Sequence, residues 1–377
     1  MKKALSIMFA LLLLFLLPAC GGEEDDYDGD TPSGGDGGNS GNNEENGGWE
    51  SREDKPGKVL QTSIAGISAM AIGLDDILYV GGAKREYSKK SDALLVAFDT
   101  KGKELWSKQW DYQESADRIN HIVSDKYGNI YVAGNTYDSF VVKFAPDGTK
   151  IWEQLPEFGN IFSLTFDSQQ NVYISYNNEI IKYSTEGKKL QSYKISDASE
   201  INDLTVDSEG NIYAVGGTYD SLFAENAGVN DAFLVKLAPD GTQLWGKQWG
   251  GKGEDWIGSI VFGKNGNIFV ALELNSAANN SNDIEKMLLK ISPDGNQMSE
   301  INRWCKIVTS CNDNNIYCVG KNQIDKYTSD GEYLGSSPED EPYNSIGAIT
   351  CDSKNNIYIV NLKNEQNIIK ISTSDIK

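Results

Sequence analysis

One histidine, His121, stands among 377 residues, which removes multi-histidine metal sites and most imidazole-dependent catalysis. Asp203 occupies the same position of a recurring strand two copies further on, and the two are the candidate channel residues. Other copies carry Ala69, Ser163, Ser259 and Ala348 there, and small or polar residues recurring at one position are expected to line a shared central channel. A histidine and a carboxylate make no hydrolytic site without a nucleophile, and the sequence marks none, so no catalytic residue is assigned. Glu254 and Asp255, like Glu339, Asp340 and Glu341, fall in long loops, as a solvated acidic rim or a surface for a cation or a basic partner. Cys305, Cys311, Cys318 and Cys351 lack zinc spacing. They are open to three full disulfide pairings or to burial as free thiols. No metal and no cofactor is expected.

The elements that must position these groups are strands. Aligning a Gly-Asn-type turn with the strand after it gives seven copies, from DDILYVGG (75–82) through YGNIYVAG (127–134) and EGNIYAVG (209–216) to NNIYIV (355–360). Their aromatic anchors are Tyr79, Tyr131, Tyr173, Tyr213, Phe269, Tyr317 and Tyr358, spaced 40 to 56 residues apart. An apolar strand precedes each copy and another follows it. A further strand comes after turns such as Pro146-Asp147-Gly148 and Pro239-Asp240-Gly241, a strong hairpin signal. Four antiparallel strands at this period are the mark of propeller blades, so the expected fold is all-β, a seven-bladed β-propeller. The last copy lacks a fourth strand, and the strand-like run 59–64 precedes the first, so the N-terminal strand is expected to complete the last blade and close the ring.

The longest of these units, DAFLVKLAPDGTQLWGKQWGGKGEDWIGSIVFGKNGNIFVA (231–271), resembles the SBBP β-propeller repeat of bacterial envelope proteins, as do DALLVAFDTKGKELWSKQW (92–110) and DSFVVKFAPDGTKIW (138–152). The other copies drift toward an NHL-like pattern with Asp125, Asp167, Asp207 or Asp352 before the strand. The resemblance covers roughly residues 59–377 and implies a fold, not a ligand. Trp106, Trp152 and Trp245 recur at one position, which assigns them to blade packing ahead of sugar stacking.

The chain opens with Lys2 and Lys3 and an apolar run to Leu17, which reads as a signal peptide over 1–20. It ends in Leu-Pro-Ala-Cys, which resembles a lipoprotein lipobox and makes Cys20 the expected acylation site, with the lipidated N-terminus holding the protein to a bacterial outer membrane on the periplasmic or the cell-surface side. Residues 21–56 are Gly, Asn and acids with a net charge of -10, a composition expected to form a disordered tether ahead of a propeller at 57–377. The whole chain carries -21, which argues against nucleic-acid partners.

Loop lengths divide the two faces of the expected disc. One face has short turns. The other has long connections, carrying Tyr87, Tyr112, Tyr137, Tyr219, Phe223, Glu254, Asp255 and Tyr343, and is the candidate binding face. The expected function is a lipid-anchored, monomeric binding or scaffolding module for a protein or glycan. The alternatives are a polysaccharide-active lyase or glycosidase and a scaffold resembling the propeller lipoprotein of outer-membrane assembly.

Overall fold

A computed structural model describes residues 48–52, 57–62, 64–84, 90–112, 116–135, 139–156, 159–275, 284–338, 346–361 and 367–376. All fall in one compact unit, Glu45–Lys377. They form seven antiparallel sheets, which makes the chain a seven-bladed β-propeller with no α-helix among the described residues.

Blade 1 runs through Ala65–Ile72, Leu78–Lys84, Asp92–Phe98 and Glu104–Trp110, each strand pairing with the next. Blade 2 begins at Arg118–Ser124, blade 3 at Ile161–Phe166, blade 4 at Glu200–Val206, blade 5 at Trp256–Phe262 and blade 6 at Ile307–Ser310, with the same order. Blade 7 takes Ile346–Cys351, Ile357–Asn361 and Asn367–Ile371 from the C-terminus and Lys58–Gln61 from the N-terminus. The ring therefore closes with strands from both ends of the chain, as the leftover strand predicts.

A fifth strand, Glu50–Ser51, pairs with Lys58–Gln61 on the outer edge of blade 7. Residues 48–52, assigned by composition to the tether, thus belong to the propeller, where Trp49 supplies an apolar contact. Its indole meets Tyr358 edge-on at 5.5 Å and lies beneath Lys370 Nζ at 5.7 Å.

Burial explains the strand chemistry. The second and third strands of a blade are covered by neighbouring blades on both faces, so Leu78–Gly82 and Ala93–Phe98 are buried throughout and read as apolar runs. The outermost strand Glu104–Trp110 has a wet side and alternates loosely. In blades 1 to 6 this strand carries a bulge just after the C-terminal turn of the third strand. The bulged residues are Leu105, Ile151, Leu190, Leu244, Met298 and Leu334, each about half exposed on the rim. The bulges blunt edges that would otherwise template pairing with another chain.

The anchors are fully buried, and most bring a polar partner. In blades 2, 3, 4, 6 and 7 the anchoring tyrosine hydroxyl meets Asp125, Asp167, Asp207, Asp313 or Asp352. A lysine of the third strand lies over each of those rings at 4.9–5.4 Å. The same aspartates cap the turn before the anchor, as where the Tyr127 and Asn129 amides donate to Asp125 Oδ1 at 2.9 Å. The repeated Asp and Asn are therefore turn and core chemistry, not a site.

Candidate functional site

The innermost strands of blades 2 to 5 each skip one residue in register beside the position shared by His121, Ser163, Asp203 and Ser259. The skipped residues are Asn120, Phe162, Asn202 and Gly258, and both sets face a central cavity of about 330 Å³. His121 and Asp203 both line this cavity. The structure shows that most members of this set serve the ring. Ser163 Oγ donates to Asp203 Oδ1 at 2.6 Å and accepts the Leu204 amide at 3.3 Å; Asp203 Oδ2 accepts the Ile260 amide at 3.0 Å; Ser259 Oγ accepts the Val308 amide at 2.9 Å. His121 bonds to the backbone of Ile161. Each side chain ties its blade to the next, so a polar belt runs from blade 2 to blade 6. Ser68, whose hydroxyl donates to the Ile119 carbonyl, extends it back to blade 1.

Burial in the channel shifts two groups in opposite directions, each toward its neutral form. It pushes the Asp203 carboxyl up to about 6, against the three donors that hold the anion. It pushes the His121 imidazole down to about 4, against its bond to Ile161. The stability effects have opposite signs. The raised Asp203 contributes stability below the unfolded value that is lost as pH rises through 6. The depressed His121 contributes stability above 6.5 that is lost as pH falls toward 4. Between pH 7 and pH 5 the two largely offset. Replacing His121→Asn should leave a protein that gains about 1 kcal/mol on acidification over that range, whereas Asp203→Asn should lose about 2 kcal/mol. Urea midpoints at the two pH values measure this, and parallel slopes in both variants would refute the assignment.

The long-loop face is built differently from its sequence pattern. Tyr112 does not project: its ring packs against Phe140 at 5.3 Å and its hydroxyl donates to Glu153 of the next blade. Phe223 folds back over blade 4, 6.2 Å from Phe233, and fills the space above Gly246. Asp255 is fully buried, accepting the Gly251 and Asn275 amides at 2.7 Å, and burial pushes its carboxyl up. These three are structural because a loop aromatic or carboxylate with backbone amides in reach gains more from burial than from exposure. Tyr219, 59% exposed, and Glu254 remain on the surface. Tyr87, Tyr137 and Tyr343, the acidic run Glu339 to Glu341, and Cys20 lie outside the described residues.

Around Phe223 and Asp255 stands a rigid platform. The loop 219–230 is held by Asp231, which accepts the Ala227 amide at 3.1 Å and Gln248 Nε2 at 2.8 Å. Gln248 Oε1 accepts the Phe223 amide at 2.9 Å, and Asn230 Nδ2 donates to the Asp255 carbonyl at 2.9 Å. Asn230, Asp231 and Asp255 are buried to within 1%. The platform presents Tyr219 and Val229, the latter 46% exposed and unnoticed in the sequence. The cysteines pair as Cys305–Cys318 within blade 6 and Cys311–Cys351 between blades 6 and 7, resolving the three open pairings and leaving none of the four as a free thiol. No group of acidic, histidine or cysteine side chains suited to a metal occurs among the described residues.

The profile of the SBBP beta-propeller repeat matches residues 106–140. No curated protein sequence matches the chain. Among solved structures, a streptogramin B lyase is similar at 13% identity and a TM-score of 0.58, covering 83% of this chain and 96% of the other. Virginiamycin B lyase from Staphylococcus aureus is similar at 11% and 0.58, covering 83% and 97%. The Pan2 WD40 domain of Neurospora crassa is similar at 14% and 0.57, covering 81% and 88%. At these identities the likeness is one of fold.

Proposed function

We propose that this propeller is a binding module of a bacterial envelope, tethered through acylated Cys20 and engaging a protein or glycan partner on its long-loop face. The observation that carries the reading is the blade 4 platform. Burying two carboxylates and an amide to fix a surface loop costs stability unless they are hydrogen-bonded; both carboxylates and Asn230 Nδ2 are, while Asn230 Oδ1 is buried without a partner. The product is a fixed loop shape with Tyr219 and Val229 facing solvent, the arrangement in which loops on a rigid scaffold recognise partners. The composition of residues 1–47 supports the tether.

Shortening the loop is a poor test, because it removes Phe223 and Asn230 from the blade. Substituting Tyr219→Ser together with Val229→Ser leaves the buried bonds intact. The double variant should lose retention of envelope material on the immobilised protein while its stability moves by less than about 0.5 kcal/mol. Unchanged retention would remove the platform from the site. In the same cells, radiolabelled palmitate should enter the parent chain and not Cys20→Ala.

A further inference from the structure

Blade 6 carries a cavity on the long-loop face, apart from the blade 4 platform. It measures about 220 Å³ and is lined by Arg303, Trp304, Lys321, Asn322, Gln323 and Asp325, over a floor at Gly320. That volume lies below the roughly 300 Å³ at which pockets for drug-sized ligands begin, so it suits one sugar ring better than a chain segment.

Its chemistry runs against that of the protein as a whole. In a chain of net charge -21, Arg303 and Lys321 line this cavity, with Lys286 and Lys306 adjoining. Lys286 Nζ sits 5.2 Å from the centre of the Trp304 ring and pairs with Glu273. Burial pushes Lys306 down, the neighbouring Lys286 adds to this, and Glu273 opposes it. The Arg303 guanidinium lies 4.2 Å from the centre of the Tyr333 ring and 3.4 Å from Asp325 Oδ1, and is 44% exposed. Asp325 is nearly fully buried and also takes hydrogen bonds from Gln323 Nε2 at 2.7 Å and from the Ser336 hydroxyl, so it works as a fixed brace for Arg303 and Gln323.

The site is held in shape. Cys305, next to Trp304, is joined to Cys318 of the adjacent strand, with Cα atoms 5.6 Å apart. A Cβ on Gly320 would press on the Gln323 carbonyl at 3.0 Å and the Trp304 carbonyl at 3.3 Å, so the two loops meet only because a glycine stands between them. A braced arginine, an exposed lysine, amide side chains and an indole around a space of one ring form a receptor for a sugar that carries a negative charge. We infer that this blade 6 cavity binds an acidic monosaccharide unit of a glycan, its carboxylate or sulfate meeting Arg303 and Lys321 and its ring lying by Trp304.

Calorimetric titration of the full chain with trigalacturonate tests this. Three outcomes are expected together: saturable binding, binding of the same trisaccharide with its carboxylates reduced to alcohols at least about tenfold weaker, and an equal loss in Lys321→Glu with an unchanged melting temperature. Lys321 is exposed, so that variant keeps its fold; Arg303→Gln, which keeps a donor beside Asp325, should lose affinity in parallel. Tyr219→Ser with Val229→Ser should bind as the parent does, which separates this site from the platform. No saturable binding at millimolar trigalacturonate, or parental affinity in both blade 6 variants, overturns the inference. Inorganic sulfate displacing the sugar at equal affinity also overturns it, by reducing the cavity to an anion hole.

Discussion

Replacing Cys311 and Cys351 together by serine lowers the unfolding free energy by about 4 kcal/mol, the loop-closure value for a cross-link that spans about forty residues. Their sequence separation is 40 and their Cα atoms stand 5.7 Å apart. The size of the effect follows from where the bond sits. From blade 2 to blade 6 the channel belt ties each blade to the next through His121, Ser163, Asp203 and Ser259. In blades 6 and 7 the same position holds Ile307 and Ala348, which have no polar group to offer. The disulfide crosses the seam between those two blades at the ends of their innermost strands. The turn beyond it adds the Asp313 amide bonded to Asn355 Oδ1 at 2.9 Å. Cys305→Ser with Cys318→Ser, closing a loop of 13 residues within one blade, should cost about 1 kcal/mol less. Urea unfolding with and without a reductant measures both. A parent protein whose midpoint is unmoved by full reduction would show that the seam does not depend on the bond.

Trp49→Ala should cost about 2–3 kcal/mol, less than the loss for a fully buried tryptophan because this one is half-buried. The argument is positional. Trp106 packs on Gly148, Trp152 on Gly187, Tyr193 on Gly241 and Trp245 on Gly295, in each case a turn of the following blade. The indole or phenol also bonds to a carbonyl of that turn: Pro146, Thr185, Pro239 or Pro293. The blade 7 strand Lys58–Gln61 has no aromatic residue to send to blade 1. Trp49 reaches over from the fifth strand instead, placing Cδ1 3.1 Å from where a Gly102 Cβ would be and its amide on the Lys101 carbonyl at 3.3 Å. Leu60, fully buried, meets the same glycine from below. Beside it, Asp76 of blade 1 accepts both the amide and the hydroxyl of Ser353 at 2.7 Å. Thermal unfolding and proteolytic nicking near residues 48–62 report on this seam. A variant within about 0.5 kcal/mol of the parent would make Trp49 a passenger.

Blade number, strand order and ring closure were legible because the repeat writes them into apolar periodicity and Asp-Gly turns, signals that depend only on neighbours in sequence. Trp49 was not, since a lone aromatic in a polar stretch has no period to betray it. Its signal was positional: blades 1 to 4 each send an aromatic to the next blade's turn, and the blade 7 strand Lys58–Gln61 has none. The channel was legible as a position and not as a purpose, because the bonds of Ser163 and Asp203 run to other blades some forty to fifty-seven residues away. Loop aromatics were the weakest reading. Whether Phe223 points out or folds back depends on a space left by Gly246, which no local pattern records. The blade 6 cavity escaped notice for a similar reason: Arg303 and Lys321 come together through the pairing of Ile307 with Val319 and the Cys305–Cys318 bond.

The fifth strand gives the molecule a mechanical property. Tension on the chain before residue 48 enters at the outer edge of blade 7. There it meets two residue pairs, Glu50 with Val59 and Ser51 with Lys58, and one wedged indole. That contact is weaker than the four paired residues Lys58–Gln61 that close the ring. Under load it yields first, releasing about ten residues, or roughly 30 Å of extended chain, before any blade is opened. The N-terminal strand pair thus acts as a fuse in series with the fold, letting out slack while the ring stays shut.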